Sequence, residues 1–437
     1  MTTTLLILFW GSVGLIAFAY AGYPLVVWLA SRGGRDAADE ADAQTRPPSP
    51  NEWPFLSLVI AAYKEEAWIL PRLENALAMD YPADRFEVLV GCDGKEDLTA
   101  ELASSFGDDR VRAILFPQRR GKASVLNDLV PLARGEIVVF SDANTLFERT
   151  AARRLVRHYV NEAATGTAAR IGGVVGRLVL TDPMTGSNVD GVYWRYENFL
   201  KACEGRLGAL LGANGGIYAV RKELVEPLPT TTILDDFVIG MRVHSQGYRL
   251  LYDRTALAYE ETPASIADEF RRRARIGAGG FQSLPRLAHL LAPWYGWLAF
   301  AFWSHKILRW ACPFLMAVAL VANAVLAVDQ PLYRVLGAAH LMFYAVALIT
   351  PWTSGKSGLV KLLRLPEMFV QMNLALAVGF WRWLRGIRSG AWTVTPRQPV
   401  ITSPNHVTDL SAVAVEHTGA TRAAGPDCSG GVGTARL

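Results

Sequence analysis

The chain has 437 residues, room for two or three domains, and 51% of them are hydrophobic, more than a purely soluble protein carries. Its net charge of +4 is small and spread out, so it demands no nucleic-acid partner, and the basic clusters near Arg271 and Arg382 suit anionic lipid headgroups or phosphates better. Cys92, Cys203, Cys312 and Cys428 are widely separated without a CxxC or Cys/His spacing, which argues against a zinc site and a disulfide framework and agrees with a reducing cytoplasm.

In chain order, Leu5 to Ala30 carries no charge and is long enough to cross about 30 Å of hydrocarbon at about 1.5 Å per residue. Ala19-Tyr20-Ala21 imitates a signal-peptidase site, but no positive n-region precedes it and the apolar run is too long, so an uncleaved anchor is expected. Arg32 and Arg35 follow this run, which places the next domain in the cytoplasm by the positive-inside rule. Arg35 to Pro54, rich in Ala, Asp, Glu and Pro, reads as a linker.

Strands and helices then alternate. Strands are expected at Leu56–Ile60, Phe86–Val90, Val111–Phe116 and Glu136–Phe140, and helices at Glu65–Met79, Asp97–Phe106 and Lys122–Ala133. Such βα units imply an α/β fold with a mostly parallel, helix-covered sheet, whose ligands gather at the carboxyl ends of its strands. Tyr63, Asp93 and Asp142 all fall just past such ends. Further on come a strand (Val174–Leu180), a long helix (Tyr193–Leu210), the Gly-rich turn Gly212–Gly216 and the acidic pair Asp235-Asp236.

Ile266 to Leu291, with Arg271, Arg272, Arg273 and Arg275, has the pattern of a basic amphipathic segment lying along a membrane surface. Trp310–Val328 and Val335–Thr350 are expected spans. Pro366–Trp383 is long enough but holds Glu367, Gln371 and Asn373 and runs into Arg382, Arg385 and Arg388, which leaves a full span and an interfacial or re-entrant path both open. The expected domains are an anchor (1–32), a linker (33–54), a catalytic domain (55–265), interfacial helices (266–295), a membrane region (296–395) and a disordered tail (396–437).

The residues that can carry chemistry lie in this frame. Tyr63, Glu65 and Asp93 could sandwich and hydrogen-bond a nucleobase, or equally cap a helix and form a turn. Arg119-Arg120-Gly121-Lys122 is a basic turn at a helix start, where phosphate binds favourably, although it lacks the Walker spacing. Asp142 and Asn144 offer oxygen ligands for Mg²⁺ or Mn²⁺, or an N-cap for a following helix. Asp235 and Asp236 could cap their helix or meet a hydroxyl.

Taken in order, these motifs resemble the family 2 glycosyltransferases of GT-A fold, in the membrane-integrated branch that includes cellulose, hyaluronan and other exopolysaccharide synthases. The resemblance covers roughly Phe55 to Leu284. It implies that Tyr63, Glu65 and Asp93 bind the nucleoside, that Lys122 lies near the diphosphate, and that Asp142 and Asn144 occupy the metal-binding DxD. Asp236, seconded by Asp235, would be the general base, and Ala213, Asn214 and Gly215 would shape the acceptor site. Arg272-Arg273-Ala274-Arg275-Ile276 matches the Q(Q/R)xRW signature, with Gly279 and Gln282 following, which implies diphosphate contacts from Arg273 and Arg275 and acceptor contacts from Arg272 and Ile276.

Three positions depart from that pattern. Asn144 replaces the second Asp of DxD, Asp235 stands where Glu is frequent, and Ile276 replaces the Trp that stacks on the acceptor sugar of processive synthases. The activity implied is inverting transfer from a nucleotide sugar, with UDP-sugar expected, to a lipid-linked or growing glycan acceptor at the inner membrane. The setting would be exopolysaccharide or surface-glycan assembly, with membrane lipids and other export subunits as partners. The rivals are a polyprenyl-phosphate sugar transferase, which needs no base, and a catalytically silent nucleotide-binding subunit of a secretion complex.

Overall fold

A computed structural model of the chain describes residues 2–42, 52–165, 170–181, 191–262, 266–350, 358–387 and 389–390. The expected tail and Arg388 lie outside these. The strands are β1 (Leu56–Ala62), β2 (Phe86–Asp93), β3 (Val111–Phe116), β4 (Ile137–Asp142), β5 (Leu146–Phe147), β6 (Ile171–Thr181), β7 (Tyr218–Arg221) and β8 (Arg249–Glu261). They form one eight-stranded sheet in the order β3-β2-β1-β4-β7-β6-β8-β5.

β1 pairs in parallel with β2 on one side and β4 on the other, while β7 runs antiparallel to both β4 and β6. The register sets Ala61 opposite both Gly91 and Asp142, so Tyr63, Asp93 and Asp142 emerge along one edge of the sheet. Alternation of side chains sorts the central strands between two cores. Leu56, Leu58 and Ile60 of β1 pack with Ile69 and Leu73 on one face. Val59 and Ala61 pack with Val125 and Leu129 of the Lys122–Leu132 helix on the other.

The expected linker is structured in its first part. Ala37–Asp42 is helical, and its Asp39 and Asp42 pair with Arg254 and Arg157. Charge contacts together with burial of Ala38, and of Ala37 against the first core, account for this order.

Among the described residues three helices are long and apolar enough to cross a membrane: Thr2–Asp42, Trp297–Asp329 and Pro331–Ile349. The first two each contain a π-helical turn, Phe18–Gly22 and Phe302–Ile307. Phe9 of the first packs with Ala319, Ala322 and Leu326 of the second. Gly358–Leu384 is one continuous helix outside those three. It crosses the Ile266–Leu287 helix so closely that a Cβ on Gly379 would stand 2.7 Å from the Ala278 nitrogen, a small-residue crossing typical of membrane helices. The Ile266–Leu287 helix is thus packed against the loop before Asp235 at Gly279 and against the Gly358–Leu384 helix at Gly277. A third core, containing Tyr23, Leu200, Phe237, Phe281 and Trp310, joins the apolar helices to the catalytic domain.

Candidate active site

The strand edge first organises the basic turn. Asp93 is 1% exposed, and its two carboxylate oxygens accept the backbone N–H groups of Arg120 and Gly121 at 2.7 and 2.8 Å. The carboxylate thus fixes the loop that carries Lys122, which leaves each oxygen a further lone pair for a donor such as a nucleobase N–H. The Arg119 guanidinium lies 3.8 Å from the centroid of the Tyr63 ring, so this aromatic face is covered by a cation. Glu65 starts the next segment, its N–H donating to Thr99 Oγ1 at 2.9 Å.

Lys122, placed by that turn, reaches the acids. Its Nζ donates to Asp142 Oδ1 at 2.7 Å and lies 3.2 Å from Asp235 Oδ2. Burial alone would lower its pKa, but Asp142, Asp235 and Asp236 outweigh burial and raise it. Asp235 and Asp236 open the Asp235–Ser245 helix, where the dipole favours negative charge. Asp236 Oδ1 accepts its neighbour's N–H, from Phe237, at 2.8 Å. Burial, reinforced by Asp235, pushes the Asp236 carboxyl up to about 6, against Lys122 and that N–H bond.

Gly215 closes the cluster from the opposite side. A Cβ there would stand 3.4 Å from Asp142 Oδ2, 3.5 Å from Asp236 Oδ2 and 3.6 Å from Lys122 Nζ, so a single point lies within reach of all three. Any side chain at this position would fill the space between the acids. The adjacent Asn214 is held at both ends of its amide: Nδ2 donates to the Gly176 carbonyl at 3.1 Å, and Oδ1 accepts from Lys201. Ala213 packs against the core under β4.

The arginine segment divides by helical phase. Arg272 and Arg275, one turn apart, are both within electrostatic reach of Asp142, and Arg275 also of Asp235 and Asp236. Arg273 points elsewhere: its Nε donates to Glu269 at 2.6 Å and its guanidinium lies 4.8 Å from the Tyr193 ring. Arg272 and Arg275 thus face the acids and Arg273 does not, because side chains two residues apart lie on opposite sides of a helix. Ile276 is 38% exposed.

Gln282, farther along this helix, clamps the loop before the acids, accepting from Ile233 N at 3.1 Å and donating to the Thr231 carbonyl at 2.8 Å. Lys201 was not singled out from the sequence. The signal for it is the run Glu197, Lys201, Glu204, spaced four and three apart on one helix.

The donor set suits a hard divalent cation in type, with Asp142 and Asn144 offering oxygen and Lys122 already bridging two carboxylates as a cation would. Asn144 is 7% exposed and its Nδ2 is a buried donor without a partner. Among the described residues no three His, Cys, Asp or Glu side chains form a metal cluster, so any ion here would have to draw further ligands from its substrate or water.

The chain is similar to known proteins. The chain matches the family described as "Glycosyltransferase like family 2" over residues 54–279. It is 24% identical over 237 residues to poly-beta-1,6-N-acetyl-D-glucosamine synthase of Staphylococcus aureus (strain COL), covering 53% of this chain and 56% of that protein. It is 25% identical over 248 residues to the probable glycosyltransferase YdaM of Bacillus subtilis (strain 168), with 52% and 56% covered. The chain thus matches about half the length of these curated relatives. The mannosyltransferase PcManGT from Pyrobaculum calidifontis, solved in complex with GDP-Man and Mn²⁺, shares the fold, with a TM-score of 0.62 at 22% identity over 86% of this chain and 99% of that one. The family match spans more than half the chain and contains the acids, the basic turn and both facing arginines, and the chain belongs to the family 2-like glycosyltransferases.

Proposed function

We propose that the chain is an inverting enzyme that moves a sugar from a nucleotide-sugar donor to a lipid-linked or growing glycan acceptor at the cytoplasmic face of the inner membrane, in exopolysaccharide or surface-glycan synthesis. The observation that carries this reading is the convergence of Asp142, Asp236 and Lys122 around Gly215, with the Asp236 carboxyl raised to about 6. A carboxylate of that basicity, ionised at neutral pH, suits proton abstraction.

In this mechanism Asp236 accepts the proton of an acceptor hydroxyl. The resulting oxygen attacks the anomeric carbon opposite the diphosphate, the bond from that carbon to the diphosphate oxygen breaks, and the configuration inverts. Asp235 shares Lys122 with Asp142 and orients the cluster. Arg272 and Arg275 meet the negative charge that develops on the departing diphosphate. The Lys122 turn approaches the same group, and Tyr63 and Glu65 border the nucleoside end, with Asp93 acting through the turn. Asp142 and Asn144 would hold Mg²⁺ or Mn²⁺, which when bound supplies further positive charge to the diphosphate. Ala213, Asn214 and Gly215 form the acceptor side, with Ile276 at its exposed rim.

A lipid-linked acceptor is favoured by what borders the acids. An apolar groove of about 390 Å³, lined by Phe281, Leu284, Ile307, Trp310, Phe314 and Phe380, lies between the arginine helix and the Trp297–Asp329 span. Its Trp310 ring is 6.4 Å from that of Phe237, the residue after the proposed base. Arg32 and Arg35, following the first span, support the cytoplasmic orientation.

The test is incubation of membranes carrying the full chain with a panel of radiolabelled nucleotide sugars, with and without chelator. We expect label from one donor to enter a lipid extract or polymer, to stop entering on chelation, and to vanish in Asp236→Asn. Undiminished transfer by Asp236→Asn would remove the base and favour a phosphate acceptor.

A further inference from the structure

The Val192–Arg206 helix buries a charged face against the apolar helices. Glu197 Oε1 accepts from Arg309 at 2.5 Å, and Glu204 Oε1 accepts from Tyr23 Oη at 2.7 Å and lies 2.5 Å from His305 Nδ1. His305 also stands 3.3 Å from Glu197. Both glutamates thus have partners from the first two spans, and His305 belongs to a π-helical turn, an irregularity frequent at functional positions. Lys201, between the two glutamates on the same helix, is bonded instead to Asn214 of the loop that packs Gly215 against the acids.

We propose that Lys201 is a positioning residue for the acceptor: its ammonium, bonded to Asn214, holds the 212–216 loop against Asp142 and Asp236. A neutral amine still donates, but a charge-assisted bond is about twice as strong as a neutral one. The charges facing Lys201 are Glu197 and Glu204 on its own helix, Lys306 on the second span and Asp236 across the cleft. Burial, aided by Lys306, pushes the Lys201 pKa down to about 8, with the three carboxylates opposing it. The assignment of the loop to the acceptor rests on the base role proposed for Asp236, whereas the hold of Lys201 on the loop does not.

The test is hydrogen–deuterium exchange of the 212–216 segment in the full chain in lipid nanodiscs at pH 7, made without donor or acceptor. Lys201→Met should exchange this segment about tenfold faster than wild type, the loss of one hydrogen bond to a charged group, and Lys201→Arg, which keeps the charge and a donor, should restore most of the protection. With the donor found by the panel, Lys201→Met should raise the acceptor KM more than it lowers kcat. Protection in Lys201→Met equal to wild type, or in Lys201→Arg no better than in Lys201→Met, would overturn the proposal. Neither result bears on whether Asp236 is the base.

Discussion

Two buried acid clusters in one domain face opposite fates. Asp253, on β8 away from the cleft, is fully buried with a surplus of donors: His158 at 2.8 Å, Arg157 at 2.9 Å, and the Thr255 N–H and hydroxyl at 2.8 and 2.5 Å. Burial alone would raise its pKa, but the His158 bond and charge, then Arg157, hold it well below the usual carboxylate range. In the cleft Asp142 and Asp235 share Lys122 with Asp236 beside them and Arg272 and Arg275 within electrostatic reach, and burial with like charge drives Asp236 up to about 6. The acid with its own direct cations is anchored, and the acid set beside other acids is the reactive one.

Paired substitutions can break this comparison. The largest effect is expected on turnover in Asp236→Asn, a loss of about 10²–10⁴-fold, the range of general-base contributions, while nucleoside diphosphate binding by calorimetry stays within error. Next, Asp253→Asn should destabilise the fold by about 3–5 kcal/mol, since it leaves Arg157 and His158 facing a neutral partner in the interior. Asp236→Asn should melt no lower than wild type, because it removes a carboxylate whose ionisation the fold disfavours. A melting loss in Asp236→Asn as large as that in Asp253→Asn would erase the distinction between the clusters.

The pH dependence of stability sharpens the contrast through its sign. The folded-state pKa of Asp253 is depressed, so its contribution is complete above the unfolded value of about 3.9 and is lost as pH falls toward the lower folded value. Asp236 is raised, so its cost to stability builds as pH rises from the unfolded value of about 3.9 and is complete above about 6. Thermal melts of the two Asn variants against wild type at pH 4 and pH 7 would read both signs.

Smaller effects probe the rim of the cluster. Asn144→Asp, by adding a charged ligand, should lower the Mn²⁺ concentration for half-maximal turnover by about fivefold to tenfold. An unchanged requirement would exclude Asn144 from the ion. Gln282→Ala, losing its clamp on Thr231 and Ile233, should cost about 1 kcal/mol, read as a roughly fivefold fall in kcat/KM.

Much of this was legible in the sequence, and the illegible parts have physical reasons. The strands β1 to β4 are short apolar runs ending in polar residues, so their order and the edge carrying Tyr63, Asp93 and Asp142 could be read directly. The antiparallel insertion of β7 could not, because four residues of strand carry too little periodicity to choose a partner. The hold of Asp93 on the basic turn could not be read, because its partners are backbone N–H groups 27 and 28 residues away, which have no side-chain signature. A linear motif sorted the arginines into diphosphate and acceptor contacts, whereas which of them faces the acids is set by helical phase. Lys201 went unnoticed because its helix is amphipathic toward other helices, so its charged face reads as solvent-facing until the spans are in place.

The account stands most directly on the pH dependence of kcat/KM for sugar transfer by the full chain in membranes, which reports the ionisation of the free enzyme's essential base. It predicts a lower limb centred near 6, set by Asp236, with Asp253→Asn leaving that limb where it is. Activity unchanged down to pH 4.5, or a limb that persists unaltered in the residual transfer of Asp236→Asn, would contradict it.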